Sequence, residues 1–498
     1  MSVVSPRDGS DDVALLSRPC GRASESVSGK PDHTAILARL VENRRPRGVL
    51  SCRHMSGEPR SALEGAHRAA RAMIARPRLL RLKGAIQHYA WGGYEFIPEL
   101  ARIDNKRHEP CAELWIGAHP LAPATAELDG VEVPLNRLLE LAPEAVVGPI
   151  LAKRPGAALP YLLKVLDVRA MLSIQAHPDG RQAEGGFARE NAAGLPFTNP
   201  RRNYRDPNHK PEANVALTDF WILHGFKPPD EIADLLDQVA ELRPLMPDFR
   251  TRLRELGNDE AGHRRLLRTL YERLMTLPQA DIDGMLDPLI ARVTAARKRG
   301  SLERTSADFW AARASEQFPL PGGHRDRGLI SIYLLNLVRL APGEGTFIPA
   351  GVLHSYLEGI AIEIMANSDN VLRGGLTVKH VDVPELLGTL TFESGRPELL
   401  QSSRVSAGER VYRTPAEEFT LSRLDLAEGR RYETPPVAGA DVLLVVEGEA
   451  TVEGARDTMA LGRGGIVLVP DGQACTIRTD SRAVVFRASV PSRRQDTR

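Results

Sequence analysis

Between residues 228 and 316 the apolar side chains recur at helical spacing, while on both sides of that block they come in short runs closed by glycine and proline. Ile232, Leu235, Leu236, Val239 and Leu242, then Leu266, Leu267, Leu270, Leu274 and Leu277, form stripes that a helix buries on one face. Before the block, "RLLRLKGAIQHYAWGG", "ELWIGAHP" and "YLLKVLDV" read as strands. After it, "LISIYLLNLVRLAPGEGTFIPAGVLHSYLEGIAIEIMA" and residues 405–490 return to short strands between turns. Many short strands at regular spacing build barrels or sandwiches. The chain is therefore expected to be mainly β with an α-helical insertion.

The β regions repeat each other. Residues 343–354 read "GEGTFIPAGVLH" and residues 464–475 read "GGIVLVPDGQAC", both with Gly, five residues, Pro, one residue, Gly. A tight turn then feeds a strand whose first inward side chain meets a barrel interior. His354 in the first copy falls on Cys475 in the second. A length of 498 residues accommodates two or three domains. The expected division is a first barrel from 79–227 and 317–404, a helical domain at 228–316, and a second, degenerate barrel at 405–498.

Residues 1–78 are rich in Arg, Ser, Gly and Pro with few aromatics, the composition of a disordered and dispensable extension. Within them "SALEGAHRAARAMIAR", residues 61–76, has the pattern of one amphipathic helix. An alternative is that Met55 or Met73 is the start of translation. Asp8, Asp11, Asp12, Glu25 and Asp32 argue against a transit peptide.

Lys plus Arg, 65, balance Asp plus Glu, 64, so no overall field draws the chain to nucleic acid or an anionic membrane. An anionic substrate must be caught by local groups. No apolar run reaches roughly 18 residues, so no membrane helix is expected. Cys20, Cys52, Cys111 and Cys475 are scattered without a Cys-x-x-Cys pair, which argues against a disulfide framework or thiolate zinc site and fits a reducing, cytoplasmic compartment.

Chemistry concentrates in three segments. In "SIQAHPDG", Gln175 and His177 share one strand face and Ile174 and Ala176 the other. Their bases are about 7 Å apart, which lets both side chains converge on one ion. The alternative is a buried histidine bonding a neighbour. In "NHKPEANVAL", Pro211 cannot donate within a ladder, so a strand begins at Glu212, with His209 and Lys210 crowding its carboxylate. The alternative there is a solvated hairpin with a salt bridge. His354 opens a strand after the turn "PAG". Gln175, His177, Glu212 and His354 thus make one candidate set of N and O ligands, suited to a catalytic zinc with room for water or substrate. Glu363, in apolar "GIAIEIMA", is costly unless paired, and is either a general base or a partner of a ligand. Arg373 and Lys379, among glycines in "SDNVLRGGLTVKH", offer donors to an oxyanion or phosphate, or are routine charges of a surface loop.

These residues resemble the type I phosphomannose isomerases from about residue 79 to the C-terminus. The resemblance is carried by "IQHYAWGG", "AELWIGAHP", "LPYLLKVLDVRAMLSIQAHPDG", "NHKPEANVALTDFWILHGFKP" and "FIPAGVLHSYLEGIAIEIMANSDNVLRGGLTVKHVDVPELL". It implies cupin-type jelly-roll barrels plus a helical domain. It also implies one zinc ion per chain, and interconversion of mannose 6-phosphate and fructose 6-phosphate through a cis-enediol, in mannose catabolism or GDP-mannose synthesis. By motif, the zinc ligands would be Gln175, His177, Glu212 and His354, and Arg373 the active-site arginine. Ser173, Lys164, Lys210, Glu363 and Lys379 match other pocket positions. "RGGLTVKH" departs from the commoner family form, which has Ala after Arg and Pro before Lys, and this touches the placement of Lys379. Sequence leaves the general base open among His209, Lys210 and Glu363. Ser173, Lys379 and Lys164 are the expected phosphate contacts. The expected partner is a small-molecule sugar phosphate, with neither nucleic acid nor membrane, and the expected state is a monomer. The rival readings are a non-catalytic sugar- or metal-binding cupin and another metal-dependent cupin enzyme such as an oxygenase.

Overall fold

The computed structural model describes residues 60–153 and 159–491. It has antiparallel sheets of 11, 9 and 4 strands, with a run of helices inserted after Phe226. The expectation of a mainly β chain with a helical insertion is met.

The first barrel is organised by one long strand, His354–Ala366, which pairs with Tyr161–Val168, Ile174–Ala176, Glu212–Ala216 and Phe220–Phe226. Leu163, Val165, Ala213, Val215, Ile362 and Ile364 point out of this barrel into a core shared with Leu421, Val442, Leu444, Leu468 and Phe486 of the second. The opposite side rests on the helical block. There Ile174, Ala176, Leu223 and Leu372 join Leu266, Leu267, Leu270 and Leu274 in one apolar cluster. The outward residues are thus apolar on both flanks, while inside the barrel Lys164, Glu212, Asn214 and Glu363 share the space with an apolar cluster of Leu166, Ala216, Phe220, Ile222 and Ala361.

Two boundaries differ from expectation. Strand Leu80–Lys83 lies between Ile466–Val469 and Thr125–Leu128, so this N-terminal segment completes the second barrel's sheet. The expected disordered extension is corrected for its last part, where the amphipathic helix expected over residues 61–76 forms. Arg60–Ala75 is a helix, and Ala66, Ala69, Ala70 and Met73, at helical spacing, are buried against strand Val131–Pro134 and helix Leu135–Leu141. Small alanines let the helix approach closely. Residues 1–59, with Cys20 and Cys52, lie outside the described residues.

The repeat is real in backbone terms. Gly343 and Gly464 have φ of 90° and 81°, and Gly351 and Gly472 have φ of 76° and 74°. Strands Gly345–Ile348 and Ile466–Val469 occupy equivalent places between them. Left-handed φ at both turns is what requires glycine. No helix of the described residues is long and apolar enough to cross a membrane.

Candidate metal centre and substrate pocket

Register brings the ligands together. His354 pairs with Gln175, Arg373 pairs with Gln175 on the next strand, and Glu212 opens its strand opposite Met365. His177 Nε2 lies 3.3 Å from Glu212 Oε1, and His354 Nε2 lies 3.5 Å from Glu212 Oε2. The terminal amide of Gln175 is 3.4 Å from His354 Nε2. Among the described residues His177, Glu212 and His354 form the cluster able to hold a metal ion, and all three are buried.

Hydrogen bonding fixes both ring tautomers. His177 Nδ1 donates to the Asn370 carbonyl at 2.7 Å, and His354 Nδ1 donates to the Val352 carbonyl at 3.0 Å. Each Nε2 therefore turns a lone pair toward a carboxylate, and His177 Nε2 is buried without a hydrogen-bond partner. Burial lowers both imidazoles, with Lys210 adding to it at His177 and with His354 pushed to about 3, so neither ring gains a proton to relieve the clash. Burial opposes the charge on Glu212 too, but the Lys210 ammonium favours it and the carboxyl lies well below the usual range. Lone pairs converging on a carboxylate in a dry site are stable only around a cation. The donors fit a divalent metal of the zinc type, to which the Gln175 amide, turned about its last bond, would add its oxygen.

A buried polar chain leads away from Glu212. The Tyr356 hydroxyl is 2.9 Å from Glu212 Oε2 and 2.8 Å from Glu363 Oε1, and accepts a bond from Asn214 Nδ2 at 2.9 Å. Glu363 Oε2 pairs with Lys164 Nζ at 3.0 Å, and Lys164 lies 3.7 Å from Glu113, which accepts a bond from Trp115. One phenolic proton cannot serve two carboxylates. Burial raises the Glu363 carboxyl in spite of Lys164, and the neighbouring Glu212 and Glu113 add to it. Burial disfavours the Lys164 charge, but Glu113, Glu363 and Glu212 together raise it and keep it protonated. Lys210 Nζ sits 3.2 Å from Glu212 Oε1.

At the mouth, Arg373 is half-buried, and burial together with the charge of Arg205 lowers it. Burial, Arg373 and Arg205 act the same way on Lys379. These mutually repelling cations describe a place for an anion. Asp326 pins the loop that carries them, accepting from the backbone of Gly328, Leu376 and Thr377. A Cβ at Gly375 would meet Gly328 Cα at 2.6 Å, so this crossing requires glycine.

The family model for the catalytic domain of type I phosphomannose isomerase matches residues 79–229. The mannose-6-phosphate isomerase of Escherichia coli (strain K12) is 38% identical over 376 residues, covering 75% of this chain and 90% of that protein. The chain belongs to the type I phosphomannose isomerase family. Mannose-6-phosphate isomerase 1 of Arabidopsis thaliana is 32% identical over 431 residues, covering 84% of this chain and 95% of its own. Among solved structures, the mannose 6-phosphate isomerase of Salmonella typhimurium bound to substrate and zinc is similar at a TM-score of 0.72 and 34% identity, across 83% of this chain and 100% of that one.

Within this phosphomannose isomerase fold the four expected ligands gather, Lys210 joins them, and Glu363 and Lys164 connect through Tyr356. Ser173 is half-buried directly before the ligand strand. His209, directly before Lys210, has its Nε2 bonded to Glu418 of the second barrel, 2.6 Å away. Sequence reasoning missed Tyr356, Asn214 and Arg205. Strand alternation from His354 and Glu212 would have found the first two; Arg205 has no local signal.

Proposed function

We propose that this chain is a zinc-dependent aldose–ketose isomerase that interconverts mannose 6-phosphate and fructose 6-phosphate through a cis-enediol. The observation that carries the reading is the convergence of two fixed Nε2 lone pairs on Glu212 beside a cluster of unpaired cations. Gln175, His177, Glu212 and His354 would hold one zinc per chain, which supplies Lewis acidity toward the sugar oxygens when bound. The planar donor fork of Arg373 stabilises negative charge as it develops on those oxygens. Arg205, Lys379 and Ser173 hold the phosphate. Lys164 is committed to Glu363 and Glu113 deep in the barrel, so it and Lys210 fix the charge balance around Glu212. His209 moves the proton between C1 and C2. The enzyme works as a cytoplasmic monomer on a small sugar phosphate, in mannose catabolism or GDP-mannose synthesis.

A coupled assay with mannose 6-phosphate, with and without a chelator, tests this together with elemental analysis. Turnover that disappears with the metal and returns with zinc is expected. Less than about a tenth of an equivalent of divalent metal in an active protein overturns the metal assignment. Full zinc without turnover makes the chain a binding protein.

A further inference from the structure

We propose that Glu418 of the second barrel is a positioning residue for His209 at the mouth of the first, the two forming a carboxylate–imidazole pair that sets which ring nitrogen exchanges protons with substrate. The proposal rests on the isomerase reading above. Glu418 Oε1 accepts the Nε2 proton of His209 at 2.6 Å. Among the described residues Nδ1 has no hydrogen-bond partner, and the ring is partly exposed, so that nitrogen is the one free to exchange a proton.

Both ends of the pair stand on rigid supports. Glu418 precedes Phe419, which is buried in the core between the barrels, and strand Thr420–Leu426 follows at once. His209 lies between Asn208, whose carbonyl accepts from Ser368 and Asn370, and Lys210, which is bound to Glu212. The carboxylate is also half-satisfied. Glu418 Oε2 is buried with no hydrogen-bond partner among the described residues. The bond from His209 and the backbone N–H groups of Glu417 and Glu418 together hold the charge of this carboxylate.

The charges that act most on the ring are acidic, while Lys210, next in the chain, turns its ammonium to Glu212. The acidic groups are Glu418 and Glu417 from the second barrel and Asp179, the N-cap of helix Gly180–Ala192 beside His177. The Glu418 hydrogen bond raises His209 against the effect of partial burial, with the three negative charges adding to it. The second barrel, which has no metal-holding cluster among the described residues, thereby supplies the tuning charge for the first.

The test is the pH dependence of kcat and kcat/KM for mannose 6-phosphate in the zinc-loaded full chain. In Glu418→Gln, kcat should fall on the order of tenfold with zinc content and KM unchanged. The His209 limb of the profile should move to lower pH, because the negative partner is gone. Glu418→Asp should restore most of both. In a His209→Asn background, Glu418→Gln should change kcat by no more than about twofold, since it acts through the lost ring. An unshifted limb, or the same tenfold loss in the His209→Asn background, overturns the proposal. An NMR titration of the parent protein gives a check that needs no Glu418 variant: a His209 value at or below the ordinary 6.5 also overturns it. A parent protein inactive on mannose 6-phosphate overturns the isomerase reading itself, whereas an active parent with an indifferent Glu418 overturns this pairing alone.

Discussion

Arg373 sits opposite Gln175 in the pairing of two short strands, and that register alone carries a half-buried guanidinium to the metal cluster. Among the described residues no carboxylate pairs with it, so its charge is kept for an anion. Arg373→Lys keeps the charge and loses the planar fork. If the fork acts mainly on the transition state, turnover falls roughly a hundredfold, about 2.7 kcal/mol, with KM little changed. Steady-state kinetics decide; a collapse of apparent affinity with turnover intact would move Arg373 to the phosphate. Cys475 is the opposite case. It occupies the repeat position of His354, but its neighbours are the Thr434 hydroxyl, 3.6 Å from Sγ, and the apolar residues of its barrel. Nearby, Arg487 binds Asp441 and Glu409 at 2.5 and 3.2 Å. Cys475→Ala should leave turnover within about twofold of the parent, because a small buried hydrophobe replaces another. A hundredfold fall with the fold intact would make the second barrel a working site.

The helix Arg60–Ala75 shows how composition misleads at the scale of an element. Arginine-rich sequence around it suggested disorder, yet four small or flexible side chains on one face were enough to dock it. Deleting residues 1–72 removes Ala66, Ala69 and Ala70 from that contact. The unfolding midpoint should drop by a few degrees, as expected for losses of a few kcal/mol in a chain of this size. Ala70→Asp should do the same by burying an unpaired charge, while exposed Arg68→Ala should not. Equal midpoints for all of these in calorimetry would return the helix to the dispensable extension.

Across the whole molecule, the two barrels share one apolar core, and the His209–Glu418 pair bridges them at its edge. The stability this pair contributes depends on pH in a definite direction. His209 is raised above its ordinary 6.5, so its contribution is complete below that value and is lost as pH climbs through the raised one. Glu418 is lowered from its ordinary 4.5: burial opposes this, but the bond and charge of His209 with the backbone N–H groups of Glu417 and Glu418 together outweigh it, so its part is complete above 4.5 and is lost as pH falls through the lowered one. The gap in melting temperature between the parent and His209→Asn should therefore be widest near pH 6 and shrink by pH 9. A gap that grows toward pH 9 would contradict the pairing.

The fold class and the residues of the candidate metal cluster were legible because their signals are local. A helical stripe, a Gln-x-His on one strand face and a strand that must begin after Pro211 depend on a few neighbouring residues and the geometry of one element. What each ligand's partner would be depended on pairings between distant segments, and periodicity carries none of that. Strict alternation from His354 would send Glu363 to the opposite face. A bulge between Tyr356 and Glu358 reverses the phase, so Glu363 meets the Tyr356 hydroxyl inside the barrel. Gly359 follows it at φ 123°, where a Cβ would lie 2.3 Å from the Asp219 carbonyl. In the same way nothing in "RLLRLK" tells which sheet Leu80–Lys83 joins, and nothing near His209 names Glu418. Local chemistry in the sequence determined which residues can bind a metal and an anion; the tertiary structure decided their protonation, their partners and the barrel that supplies each one, because those follow from burial and long-range register.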